Sequence, residues 1–192
     1  AAGAFKMFGE LVALGETLPA GLGELAAVED LEERRRRFRL RELVLLQKIT
    51  VAWEAPAMIR QAISFFGGHG IMEDFSALPR LLRDAFIMEL WEGPRNVLLT
   101  QIHRDLSRVR EWYDAEAFCR DLLAGADDGV AAPLAAEFAR IMAHPSLVSP
   151  DPETVQLCRD WDRFSVELCH AYQEQALAEV GPRHRVPSFQ EL

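Results

Sequence analysis

Two glycine-rich stretches frame the residues best placed to do chemistry. Gly67-Gly68-His69-Gly70 lies on one side of a helix-like run carrying Arg80, Arg83 and Asp84, and Trp91-Glu92-Gly93-Pro94 lies on the other. Glu92 is a carboxylate set between an indole and a glycine. An aromatic wall disfavours the charged form of a carboxylate and makes it a better proton acceptor near neutrality, as a general base requires. The plainer reading is a surface glutamate near a helix start. A glycine pair after a helix ordinarily serves as a C-cap, and without a preceding strand it is no dinucleotide fingerprint. Arg80 and Asp84 are spaced to pair on one helical face.

The elements around these residues read as helices. Alanine, leucine, glutamate and arginine are abundant, β-branched residues are sparse, and strand-like alternation is hard to find. The pattern predicts a helix over 4–14 ended by Gly15, and a second run beginning near Glu24 or later. Leu43, Leu46, Ile49, Trp53, Met58, Ala62 and Phe66 continue at helical spacing, with Pro56 expected to kink the run or start a new helix. Gly67 and Gly68 end it. Further helices are expected over 78–91, 96–113, 131–143 and 153–179, with a polar linker at 125–129. Leu98, Ile102, Leu106 and Val109 should face a core, and Asp151 or Thr154 should cap the last helix. The tail after Gly181 reads as mobile. These elements predict an all-α fold: an antiparallel bundle of about four helices over 1–112, and an appended helical subdomain over 113–192.

Composition narrows the function classes. The 192 residues are 49% hydrophobic, enough for one domain or two small ones with a real core. A formal net charge of −9 and a pI near 5.1 disfavour a general nucleic-acid binder. Six arginines between Arg34 and Arg41 are the one local exception, read as a solvated helical face beside Glu32 and Glu33. Cys119, Cys158 and Cys169 form no C-x-x-C, which points to reduced thiols at core positions and a cytoplasmic setting. No apolar run approaches the roughly 20 residues of a membrane span. The histidines lack ligand spacing such as H-E-x-x-H, so no metal site is expected. The start, Ala-Ala-Gly-Ala-Phe-Lys, has no initiating methionine and already lies inside an apolar-periodic pattern, as a fragment of a longer or processed chain would.

Taken together, Ile63-x-x-Phe66-Gly67-Gly68-His69-Gly70, then Leu78-Pro79-Arg80-x-x-Arg83-Asp84-Ala85, then Trp91-Glu92-Gly93 resemble the C-terminal helical domain of the acyl-CoA dehydrogenase family. The run from Thr50 to Ala62, and Asn96-Val97 after the glutamate, look most like the branch containing the alkylation-response protein AidB. The resemblance is strong over 43–108. It implies a parent enzyme that uses FAD for α,β-dehydrogenation of an acyl-CoA thioester. Glu92 falls at the position of the catalytic base, whose own N–H helps hold the thioester carbonyl. Trp91 and Gly93 would lie by flavin and substrate, and Gly67 and Gly68 by the cofactor of a neighbouring subunit, so self-association to a dimer or tetramer is implied. Ser64 replaces the family's glutamine, Pro94 replaces its threonine or serine, and Arg95 places a cation near the expected site. The family's other two domains have no counterpart in these residues, so the fragment alone would be inactive. The alternative is a non-catalytic oligomerisation or scaffold domain of an AidB-like homologue. DNA binding, known in that branch, is disfavoured by the charge.

Overall fold

The computed structural model describes residues 2–15 and 21–180, and the tail expected to be mobile lies outside them. The described residues are all-α. They form α1 (Ala2–Ala13), α2 (Leu22–Leu25), α3 (Leu31–Phe65), a short 3-10 helix (Gly67–Ile71), α4 (Leu78–Leu90), α5 (Arg95–Val109), α6 (Ala115–Leu122), α7 (Asp128–Met142) and α8 (Pro152–Val180). No helix among them is long and apolar enough to cross a membrane.

Helix α3 organises the fold. Asp30 starts it by accepting the Glu33 N–H at 3.0 Å, and it then runs unbroken for 35 residues, about 52 Å. Pro56 does not start a new helix; it is buried within this one. The arginines near its start are turned inward. Arg34 donates to the Val28 carbonyl (2.8 Å) and stacks over Trp112, and Arg35 donates to the Trp112 carbonyl (2.9 Å) and covers Tyr113. Arg37 pairs with Glu33 at 2.8 Å, Arg39 with Asp121 at 3.6 Å, and Arg41 with Asp105 at 2.8 Å. Arg34, Arg35, Arg39 and Arg41 therefore clamp α3 to the α5–α6 junction, whereas Arg37 makes the pair with a flanking glutamate that a solvated face would have.

The core is a single hydrophobic cluster running from Leu11 to Tyr172. Phe38, Phe118, Phe138 and Trp161 stack through it at centroid separations of 5.9, 5.7 and 5.7 Å, linking α3, α6, α7 and α8. Trp161 also donates its indole N–H to the Leu99 carbonyl at 3.0 Å, tying α8 to α5. Leu98, Ile102, Leu106 and Val109 are all buried as the spacing predicts, and Asp151 caps α8 by accepting the Thr154 N–H at 2.9 Å. Cys119 and Cys169 are buried, and burial pushes the Cys119 thiol up to about 12.

The apolar stripe of α3 divides in two. Leu43, Leu46 and Ile49 are in the core, whereas Trp53, Met58, Phe65 and Phe66 are exposed. The helix outruns the bundle, and its far half packs mainly on α4 and the 3-10 helix. Met72 and Phe75 after the 3-10 helix, and Phe86, Ile87 and Leu90 along α4, are exposed as well. A patch of this extent marks a surface made to be covered.

Candidate active site

The first glycine stretch is a helix terminus whose glycines have separate duties. Phe66 caps α3 by donating to the Ile63 carbonyl, and Gly67 follows with φ 57, the left-handed value that ends a helix. Gly70 is buried so tightly that an added Cβ would lie 2.3 Å from the Ile63 carbonyl oxygen. Gly68 has neither constraint. Its φ is not left-handed, and an added Cβ would meet nothing within 4 Å. The helix end thus needs Gly67 and Gly70, and it leaves the backbone at Gly68 bare toward the outside. Ser64 donates its hydroxyl to the Gln61 carbonyl at 2.6 Å on its own helix.

The second stretch links α4 to α5. Pro79 sits in the first turn of α4, where its missing N–H costs nothing. Trp91 closes the helix by donating to the Ile87 carbonyl at 2.9 Å. The chain then takes two left-handed residues in succession, Glu92 at φ 60 and Gly93 at φ 112, before Pro94 begins α5. Among the described residues Glu92 is the only non-glycine with positive φ. A side chain in that region costs on the order of 1 kcal/mol and is found where the surroundings impose it, often at functional sites. Glu92 is exposed, and its N–H takes no acceptor among the described residues. Trp91 is 62% exposed, so the wall expected around the carboxylate is open on this chain.

Arg95, expected near the site, points elsewhere. Its guanidinium binds the Asp162 side chain, donates to the Asp162 carbonyl (2.7 Å) and Ser165 Oγ (3.2 Å) on α8, and lies over the Trp53 ring. Nor do Arg80 and Asp84 make the pair their spacing allows; Arg83 binds Glu73 at 2.5 Å instead. Sequence reasoning missed Lys48. From the middle of α3 its ammonium donates to the carbonyls of Met88 (2.7 Å) and Gly93 (3.4 Å), on either side of Glu92. A lysine in a helical run carries no sequence signal for such a role. A cleft of about 780 Å³ between α7 and α8 near Trp53 does not include Glu92.

The two stretches are not brought together within one chain. Lys48 marks the level of the Glu92 turn along α3, and Ile63 marks the level of the glycine turn. Fifteen residues of helix separate them, about 22 Å. Gly68 and Glu92 therefore stand at separate levels of the same long helix. Among the described residues no group of His, Cys, Asp and Glu is placed to hold a metal ion.

An all-helical domain with an exposed, strained Trp-Glu-Gly turn at one level and a bare glycine turn at another is the arrangement these residues define. Residues 21–107 match the family described as "Acyl-CoA dehydrogenase, C-terminal domain". The chain is 38% identical over 87 residues to "Acyl-CoA dehydrogenase family member 11" of Caenorhabditis elegans, a match covering 45% of this chain and 13% of that protein. No solved structure matches the chain.

Proposed function

We propose that the native protein containing this sequence is an FAD-dependent acyl-CoA dehydrogenase in which Glu92 is the base. The observation that carries this reading is the Glu92 turn, a carboxylate held at φ 60 on an exposed corner with its own N–H unengaged among the described residues, inside a segment that matches that family. The residues present fit a flavin. Gly68 offers side-chain-free backbone that a Cβ would obstruct, and Trp91, 62% exposed, offers a flat apolar surface at the other turn. Gly67 and Gly68 of one copy, with Trp91 and Gly93 of another, would hold it, and when bound it supplies a two-electron acceptor for the β-hydrogen.

This chain's own part is acid–base chemistry. The Glu92 carboxylate takes the α-proton of the thioester, while the Glu92 N–H donates to the thioester carbonyl as negative charge gathers there. The left-handed backbone lets one residue present both groups to one substrate. The exposed apolar end of α3 and α4 is the surface through which copies pair, which closes the wall that Trp91 leaves open. A scaffold without catalysis is the second reading. It is favoured by Ser64, whose hydroxyl is engaged by its own helix, and by Pro94, which has no hydroxyl to offer.

The test is to mix the native protein anaerobically with a panel of acyl-CoA thioesters and follow the visible absorbance of its flavin. Wild type is expected to bleach, and Glu92→Gln to bleach at least ~1,000-fold more slowly with flavin still bound, since the amide accepts no proton. A flavin that no thioester bleaches, or a protein without flavin, would sink the dehydrogenase reading in favour of the scaffold.

A further inference from the structure

We propose that Lys48 is a positioning residue for Glu92, fixing the strained turn in the conformation that directs the carboxylate and N–H together. This inference rests on the reading of Glu92 as the base. One ammonium binds the Met88 carbonyl in the last turn of α4 and the Gly93 carbonyl just beyond the glutamate. Residues 89–92 are thereby strung between two points that the same cation holds together. Lys48 comes from α3, whose neighbours Leu46 and Ile49 are in the core, so the anchor is seated on a helix built into that core.

The far side of the turn is fixed independently. Pro94 accepts the N–H groups of Val97 (2.9 Å) and Leu98 (3.2 Å), and Arg95 fastens the first residue of α5 to Asp162 and Ser165 of α8. Leu98 fills the space beside Gly93, where an added Cβ would come within 3.0 Å of its Cδ2. The exit from the turn therefore cannot move to relieve φ at Glu92. The entry is tied by the Trp91 N–H to Ile87 and by Lys48. Lys48 is half-buried and lines a hollow of about 250 Å³ under the turn, together with Ile49, Trp53, Leu90 and Pro94. An ammonium is suited to this task because it can donate to two carbonyls that do not share a plane.

The variants are Lys48→Met, which keeps the stem and removes the donors, and Lys48→Arg, which restores donors to the same carbonyls. Both are made in the native protein and read in two ways. Hydrogen exchange is followed by mass spectrometry on peptides spanning 88–98, with peptides around Leu46 and Ile102 as references. Flavin bleaching by an acyl-CoA thioester is followed at saturating and limiting concentrations. Lys48→Met is expected to speed exchange about tenfold in 88–98 alone and to slow bleaching at saturation by about 10- to 100-fold. The half-saturating concentration stays within twofold, and Lys48→Arg, whose planar donors reach the two carbonyls less well than an ammonium, recovers part of both losses.

Unchanged exchange in 88–98, or a rise shared equally by the reference peptides, overturns the proposal, since Lys48 is then idle or merely a stabiliser. Faster local exchange with unaltered bleaching also overturns it while leaving the dehydrogenase reading intact. If wild type is bleached by no thioester, the dehydrogenase reading fails and the catalytic purpose of Lys48 with it; the exchange result still shows whether Lys48 holds the turn.

Discussion

Gly70→Ala is expected to destabilise the chain by about 3 kcal/mol, because the new methyl must push roughly 1 Å into backbone that has nowhere to go. The obstruction is the Ile63 carbonyl, 2.3 Å from the added Cβ and already accepting the Phe66 N–H. No rotamer can relieve it, since the contact is between Cβ and main chain. For a chain of this size the loss corresponds to a fall in Tm of about 6–12 °C. Gly68→Ala, two residues earlier, is expected to leave Tm unchanged or raise it slightly, because its Cβ meets open space and alanine restricts the unfolded chain. Thermal melts of the two variants check this directly. Equal effects would show that the two glycines do not divide their duties as the geometry indicates. In the native protein Gly68→Ala carries a second expectation, loss of bound flavin from a folded chain.

The second large effect lies in the core and depends on pH. Glu42 is fully buried on α3, near Asp105 on α5, and the Arg41 guanidinium binds both. Burial raises the Glu42 carboxyl to about 8, with the Asp105 charge adding to the rise and Arg41 opposing it. The unfolded chain releases this proton near pH 4.5, whereas the folded chain keeps it to about pH 8. The contribution is therefore fully present below pH 4.5, declines as pH rises, and is lost once the folded carboxyl ionises. Glu42→Gln removes the titration and keeps the shape. Its Tm should match wild type at pH 4 and exceed it progressively toward pH 8. With Arg41 and water able to follow the new charge, the gain there is about 3 kcal/mol, less than the full equivalent of the shift. Parallel Tm profiles for the two proteins would show that Glu42 is ionised throughout.

Sequence and structure agree where local spacing decides the outcome. The buried face of α5 follows from Leu98, Ile102, Leu106 and Val109 at helical intervals, and the cap of α8 follows from Asp151 before Pro152. Agreement fails where neighbours decide. Pro56 reads as a breaker, yet α3 continues through it with the proline buried. Helix α6 is absent from the periodicity because its eight residues are too few to show a period, although Asp114 capping the Ala117 N–H at 2.8 Å was there to be read. The last two residues of the polar 125–129 segment are already helix, since Asp127 caps α7 through the Gly129 N–H.

The candidate site was legible in part. Glu92 and the glycines could be picked out, but the left-handed φ at Glu92, the different duties of Gly67, Gly68 and Gly70, and the turning of Arg95 toward α8 all depend on contacts between distant segments. Lys48 is the clearest case, 45 residues away from the Gly93 carbonyl it holds.

The clamps at the start of α3 also govern how the protein meets a charged matrix. Five arginines are committed to carbonyls, rings and carboxylates within the fold, so little of their charge is presented outward, while the chain as a whole carries −9. The electrophoretic and chromatographic character is then set by the unclamped acids. The protein should be retained by an anion exchanger at neutral pH and ignored by heparin, despite an RRRRFRLR run that would ordinarily suggest affinity for polyanions.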